Sequence, residues 1–285
     1  MKVSDEQISS IVDKVVDQIV ASKSSHNPST KNFSQVGRND FHHSGSLRGV
    51  FPSIEEAINA SEKACLAYGM TTVEKRKEII KAIRKAAHQN IEKMSKDAVT
   101  ETKLGRFEDK INKNKLAIDK TPGVEDLDPE VFTGDYGITL YERCPFGVIG
   151  SITPCTNPTE TILCNGIGMI AGGNTVVFNP HPSAKNVSAF TIHFMNEAVI
   201  KAGGPPNLFT CVSAPTIESA GILMKHPKIR LLVVTGGPAV VKAAMQSGKR
   251  VIAAGPGNPP VVVDDTADLD RAGRDIVRSA SCDNN

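Results

Sequence analysis

Tryptophan is absent from the 285 residues, an absence that excludes nothing by itself. Other absences exclude more. The net charge is only +2 and no dense Lys/Arg run with interleaved aromatics occurs, so no polyanion-binding surface, and no nucleic-acid partner, is expected. No apolar run approaches the roughly 20 residues needed to span a bilayer, so no membrane partner is expected either. The six cysteines lie far apart and form no C-x-x-C pair, which argues against a zinc or redox motif and leaves no metal site in view. No secretory leader pattern precedes them, so they read as reduced thiols of a cytoplasmic protein.

What is present suits a soluble protein with a packed core. Hydrophobic residues make up 40% and charged residues 22%, and the length allows one large domain or two ordinary ones. Residues 1–22 contain an amphipathic stripe of Val3, Ile8, Ile11, Val12, Val15, Val16, Ile19 and Val20 at three- and four-residue spacings, with Ser4 as N-cap. Residues 23–46 are polar, rich in Ser and Asn, and read as a flexible linker. A helix tethered in that way is expected to dock on a partner rather than on its own domain. His42 and His43 in the linker read as solvated.

Residues 53–69 and 73–101 read as helices. The second has Ile79, Ile80, Ile83, Ala87, Ile91 and Met94 on one side and mixed charge on a solvated face. The helical pattern resumes after a break near Gly105. The stretch "TGDYGITLYERCPFGVIG" alternates apolar positions between turn residues, which predicts a β-hairpin arm near residues 131–146. From residue 146 a strand–turn–helix pattern repeats, and "PPVVVDDTADLDRAGRDIVRSAS" is expected to close the domain with a strand and a helix. The fold class is therefore α/β: a doubly wound parallel sheet covered on both faces, spanning residues 47–285. Such sheets bind ligands at the carboxyl ends of their strands.

Three strand ends stand out. In "SITPCTNPTE", Asn157, Pro158 and Glu160 fit an N-cap, a first-turn proline and a capping-box acid. Equally, the Asn157 amide could point into a cleft and donate to a developing oxyanion. In "VVTGGPAVVKAA", a strand runs into Thr235, Gly236 and Gly237 and then a helix. That suits a phosphate at a helix N-terminus, although it is not the G-x-G-x-x-G fingerprint and a tight turn also needs glycine. In "AAGPGNPPVVVDDTADLD", Gly255 and Gly257 fit a tight turn at the mouth of the sheet.

The segments "GVIGSITPCTNPTETILCNGIGMIAGGNTVVFNPHPSAKN", "LLVVTGGPAVV" and "AAGPGNPPVVVDDTADL" resemble the aldehyde dehydrogenase superfamily. They are most similar to its CoA-acylating branch of bacterial microcompartments and fermentative clostridia. "GRFEDKINKNKLAIDKTPGVEDL" and "GDYGITLYERCPFGV" fit that branch too, and the resemblance runs collinearly over residues 49–285. It implies an oxyanion-hole role for Asn157. It places Thr153 and Pro154 beside the nicotinamide of NAD. Asn179, Pro180 and His181 fall where relatives set a Lys-Pro pair against the adenosine ribose, and the lysine is absent here. Thr235, Gly236 and Gly237 fall beside the pyrophosphate, and Gly255, at the third strand end, is expected to bind the cofactor as well. Where hydrolytic members carry a general-base glutamate in Glu-Leu-Gly-Gly, this sequence has Ala253-Ala254-Gly255-Pro256.

The resemblance further implies NAD as cofactor, coenzyme A and a short-chain aldehyde as substrates, and a homo-oligomer assembled through the hairpin. It also implies a microcompartment location reached through residues 3–20. In "CDNN", Cys282 takes the place of the branch's Phe, so the nucleophilic cysteine is expected a few residues past Asn285 and the catalytic domain after it. Cys282 is expected to be a small buried side chain, Cys155 to border the cleft, and Cys164 to lie in the core. The chain alone is expected not to turn over. A nucleotide- or CoA-binding module without activity, or a microcompartment interaction fragment acting through its first helix, are the competing readings.

Overall fold

The computed structural model describes residues 47–257 and 259–284; the proposed docking helix and linker lie outside them. The chain enters through a short strand β1 (Val50–Phe51). It continues into α1 (Ile54–Tyr68), whose N-cap Ser53 accepts a hydrogen bond from the Glu56 N–H. Next comes α2 (Val73–Thr102), capped in the same way by Thr72, and then α3 (Phe107–Lys120). The helical stripe read from the sequence is the buried side of α2: Ile79, Ile83, Ala87 and Met94 are fully buried.

The hairpin follows as β2 (Glu130–Gly134) and β3 (Gly137–Tyr141), paired antiparallel in an isolated two-stranded sheet. Val131, Phe132, Ile138 and Leu140 are all exposed on it. A lone hairpin is marginal in water, so this one presents apolar surface with nothing covering it among the described residues.

The alternating region builds β4 (Val148–Thr153), α4 (Pro158–Ala171), β5 (Thr175–Pro180), α5 (Lys185–Lys201) and β6 (Phe209–Val212). It goes on with α6 (Ile217–Lys225), β7 (Ile229–Thr235), α7 (Pro238–Met245), β8 (Arg250–Ala254) and α8 (Leu269–Ala280). The six strands form one sheet in the order β1-β6-β5-β4-β7-β8, with every neighbouring pair parallel. β4 and β5 are buried at every position. Strands covered on both faces are rich in apolar residues, as with Val176–Phe178 of β5, and β4 adds the buried polar Ser151 and Thr153.

Two cores flank the sheet. One packs Phe178, Phe209 and Cys211 against α4, α5 and the outer helices α2 and α3. The other packs Val148, Val177, Leu232 and Val234 against the start of α1, α6 and α7. The helix after β4 and the helix after β7 thus lie on opposite faces. The connections part between these neighbouring strands, which makes their carboxyl ends the topological switch point of the sheet.

One expected element does not form. Val261–Val263 are exposed and without regular structure rather than a strand. Pro259 and Pro260 remove two ladder donors just before them, so pairing beyond β8 cannot begin there. The last helix, α8, has no buried residue, and its Leu269 and Val277 are exposed.

Candidate functional site

The sheet order sets the carboxyl ends of β5, β4, β7 and β8 side by side. Thr153 is level with Pro180, Ile152 with Val234, and Thr235 with Ala254. Three inter-strand spacings of about 4.8 Å make this edge about 15 Å wide, which is long enough for an extended dinucleotide. Thr153, Pro180 and Thr235 are the last residues of β4, β5 and β7 on this edge, and Pro154, His181 and Gly236 follow them directly.

Their surroundings differ. Thr153 is buried and its Oγ1 has no hydrogen-bond partner. A buried hydroxyl without a protein partner is met by water or by a ligand. Pro154 follows, half-buried. Asn179 turns inward, where its Oδ1 accepts from Ser219 Oγ at 2.6 Å, so its carbonyl is committed to holding β5 against α6. Pro180 is buried, whereas His181 is exposed and its Nδ1 accepts from the Ser183 N–H, capping the short helical turn Pro182–Ala184.

At the β7 end, Gly236 N–H donates to Ala254 O at 3.2 Å and closes β7 onto β8. A Cβ on Gly236 would come within 2.7 Å of Val240 Cγ1, so a side chain there would force Val240 in the first turn of α7 to shift. Gly237 is the N-cap of α7 and nothing stands within 4 Å of where its Cβ would be. Pro238 lacks an N–H, which leaves the Ala239 and Val240 N–H groups as the donors at this helix end. Open backbone, two donors and the unpaired Thr153 hydroxyl together suit a nucleotide pyrophosphate and its neighbouring ring. Gly255 and Gly257 lie outside the left-handed region, in an exposed stretch after β8 without regular structure, so neither position calls on the backbone freedom of glycine.

Asn157 occupies the N-cap position of α4 but makes no capping hydrogen bond. Its Oδ1 lies 3.4 Å from Lys110 Nζ instead. Nor does Glu160 close a capping box. It is buried, its Oε2 accepts from Thr159 Oγ1, and its Oε1 sits 3.8 Å from Lys110 Nζ without a hydrogen-bond partner. Lys110 is fully buried, and its ammonium also donates to Thr156 O and, at 2.8 Å, to Asp283 Oδ2. Lys113 Nζ reaches the same Asp283 oxygen at 2.7 Å. Burial pushes the Asp283 carboxyl up, but the hydrogen bonds from Lys110, Lys113 and the Arg106 N–H outweigh it and hold the group below its ordinary value. Gly105 makes this seat: its φ is +83°, and a Cβ there would strike Asp283 Oδ1 at 2.4 Å.

Beside Asn157 an open groove of about 690 Å³ runs between α3 and α4, bordered by Leu116, Pro122, Glu160, Thr161 and Cys164. Cys164 is therefore exposed to the groove rather than in the core, with its sulfur 3.1 Å from Thr121 Oγ1, whose proton goes to Ala117 O. Cys282 is exposed as well, because in the short turn Cys282–Asn284 it is Asp283 that points inward. Cys155 is half-buried against Ala98, Ala184 and Val187. Cys211 is sealed in the core, where burial pushes its thiol up to about 12 and makes it inert.

Lys110, Lys113 and Asp283 were not singled out in the sequence. A signal existed for the first. Lys110, Asn114, Ala117 and Ile118 form the buried stripe of α3, so a lysine and an asparagine stand where an ordinary amphipathic helix is apolar.

No helix among the described residues is long and apolar enough to cross a membrane. The sequence pattern of the aldehyde dehydrogenase family matches residues 51–284. Acetaldehyde dehydrogenase (acetylating) EutE of Salmonella typhimurium is 52% identical over 238 residues, which are 83% of this chain and 50% of that protein. A propionaldehyde dehydrogenase from the Clostridium phytofermentans fucose utilisation bacterial microcompartment superposes with a TM-score of 0.81 at 51% identity. The match covers 83% of this chain and 55% of that one. Rhodopseudomonas palustris propionaldehyde dehydrogenase, solved with bound CoA and an acylated cysteine, gives 0.81 at 50% identity over 83% of this chain and 54% of its own. The chain spans about half the length of the relatives it matches.

Proposed function

Given that the chain belongs to the aldehyde dehydrogenase family, we propose that it is the nucleotide-binding part of a CoA-acylating member. The whole protein oxidises a short-chain aldehyde to an acyl-CoA with NAD as electron acceptor. The observation that carries this reading is the pair of features at the switch point. Asn157 sits at a helix cap with its amide uncommitted to capping, beside a groove, and no carboxylate stands at the end of β8.

Each residue has a role in this reading. Thr153 and Pro154 receive the nicotinamide end, and Thr235, Gly236 and Gly237 with the start of α7 receive the pyrophosphate. Pro180 and His181 border the adenosine side, Asn179 holds β5 in place, and Gly255 keeps the edge open. When bound, the nicotinamide supplies the hydride acceptor. The groove beside Asn157 admits the aldehyde, and the Asn157 Nδ2 group donates to the carbonyl oxygen as a cysteine thiolate of the whole protein adds to the carbonyl carbon.

The acyl acceptor follows from what β8 lacks. Hydrolysis of an acyl-cysteine needs a general base within reach of water. Ala253 and Ala254 offer only methyl groups. A thiol with a pKa of about 8.5 is already partly thiolate near neutral pH, so CoA can deacylate the enzyme without that base. The pyrophosphate of CoA uses the Thr235–Gly237 turn after NADH has left, which makes the kinetics ping-pong. The exposed stripe of α8 and Val261–Val263 pack against the remainder of the whole protein, and the β2–β3 hairpin pairs copies of it. Residues 3–20 dock on a microcompartment shell or core protein.

The test uses the full-length protein. Acyl-CoA should form at the rate of NADH, and CoA should compete with NAD for the free enzyme. Free carboxylic acid as the main product at saturating CoA would overturn the argument from the missing base.

A further inference from the structure

We propose that Lys110 is a positioning residue. Its buried ammonium draws the Asn157 carbonyl inward so that the amide Nδ2 faces the groove, and the same nitrogen ties this amide to the turn Cys282–Asn284 through Asp283. The proposal rests on the reading of Asn157 as oxyanion donor.

The donor arithmetic supports it. An ammonium has three N–H groups and no acceptor. Lys110 Nζ has three oxygens within hydrogen-bonding distance: Thr156 O, Asn157 Oδ1 at 3.4 Å and Asp283 Oδ2 at 2.8 Å. Being fully buried, it has no water to fall back on. An amide set against a donor-only group must offer its oxygen, so the chemistry of Lys110 decides which way Asn157 is turned. Nδ2 is then on the opposite side.

A competing arrangement shows why this needs enforcing. Asparagine at an N-cap ordinarily turns its Oδ1 back onto the second or third N–H of the helix. Asn157 stands at that position and does not do so. The ammonium diverts the carbonyl from the capping bond and so sets the direction in which Nδ2 points. Without Lys110, the side chain would fall back onto α4 and Nδ2 would be re-aimed. Glu160 Oε1, 3.8 Å away, and the Asp283 carboxylate balance the two lysine charges, so the cation needs no bulk water to be kept there.

The experiment is a double-mutant cycle in the full-length enzyme, read at saturating CoA as kcat and as KM for the aldehyde and for NAD. Asn157→Ala should lower kcat by about 10²–10³-fold, the range for removing one oxyanion donor. Lys110→Met should lower kcat by at least tenfold with KM for NAD unchanged. In the Asn157→Ala background the Lys110→Met change should have no further effect. Asn157→Asp keeps the contact with Lys110 but has no N–H, so it should fall as far as Asn157→Ala. Lys110→Met combined with Asp283→Asn removes both partners of the buried pair and serves if the single variant does not fold. A neutron structure of the unsubstituted protein tests the orientation with no variant at all: deuterons on the Asn157 atom facing Lys110 would overturn the proposal. So would a Lys110→Met penalty that adds in full to that of Asn157→Ala. Wild-type kcat in Asn157→Ala would instead remove the oxyanion reading itself.

Discussion

Replacing Asp283 by alanine should release the last turn of the described chain while leaving the sheet intact. Asp283 is 1% exposed and receives two ammonium groups at 2.7 and 2.8 Å and the Arg106 N–H at 3.1 Å. Its own N–H donates to Asp109 Oδ2 at 3.0 Å. Removing one member of a buried ion pair is expected to cost about 3–5 kcal/mol, because the other charge is left uncompensated. Two features place this case at the lower end: Lys113 is 30% exposed and can rehydrate, and Glu160 remains near Lys110. Unfolding of the domain is not required, since α8 before the turn has no buried residue and can move with it. The loss should therefore appear as local opening. About 3 kcal/mol corresponds to an increase of roughly 150-fold in the opening equilibrium, at 1.4 kcal/mol per factor of ten. Amide hydrogen exchange reads it directly: Arg106 should exchange about two orders of magnitude faster in Asp283→Ala, and Val177 in the sheet should not change. The pH dependence has a definite sign. The folded-state value of Asp283 lies below that of the unfolded chain, so the anchor is fully present above about 3.9, the ordinary Asp value, and is lost as pH falls through the depressed value. Equal Arg106 exchange in variant and parent at neutral pH would refute the anchoring role.

Phe178→Ala, at a fully buried side chain in the larger core, should destabilise the domain by about 3–5 kcal/mol in chemical denaturation. Gly236→Ala places a Cβ 2.7 Å from Val240 Cγ1 and should weaken NAD binding in calorimetric titration, whereas Gly237→Ala has open space and should bind with less than half that free-energy loss. Ile138 and Leu140 project from one face of the exposed hairpin; changing both to Lys should reduce the assembly seen by sedimentation without lowering the melting temperature of the domain.

Much of this was legible in the sequence because it depends on local pattern. The 3.6-residue stripe of Ile79, Ile83, Ala87 and Met94 and the short apolar run "NTVVFNP" each specify an element and which side of it is buried. Their alternation after residue 146 specifies a parallel sheet, and with it the edge where a ligand binds. Thr153, Asn157 and Thr235–Gly237 could be placed on that edge because strand ends are sequence features. Gly255 could be placed there too, but not given its backbone conformation, since a glycine permits many.

What the sequence could not decide was where side chains turn once the elements meet. The N-cap position of Asn157 is local, but its carbonyl lies against Lys110, 47 residues earlier in the chain, and not on the helix. Asp283 meets Lys110 across 173 residues, and Cys164 faces solvent rather than the core because α3 leaves a groove along α4 instead of closing on it. Val261–Val263 carry strand propensity and form no strand, since a strand also needs a neighbour with matching donors. Periodicity fixes which residues are buried and therefore how the sheet is built. Partner choice among buried polar groups depends on distances between elements far apart in the chain, and only the packed structure sets those.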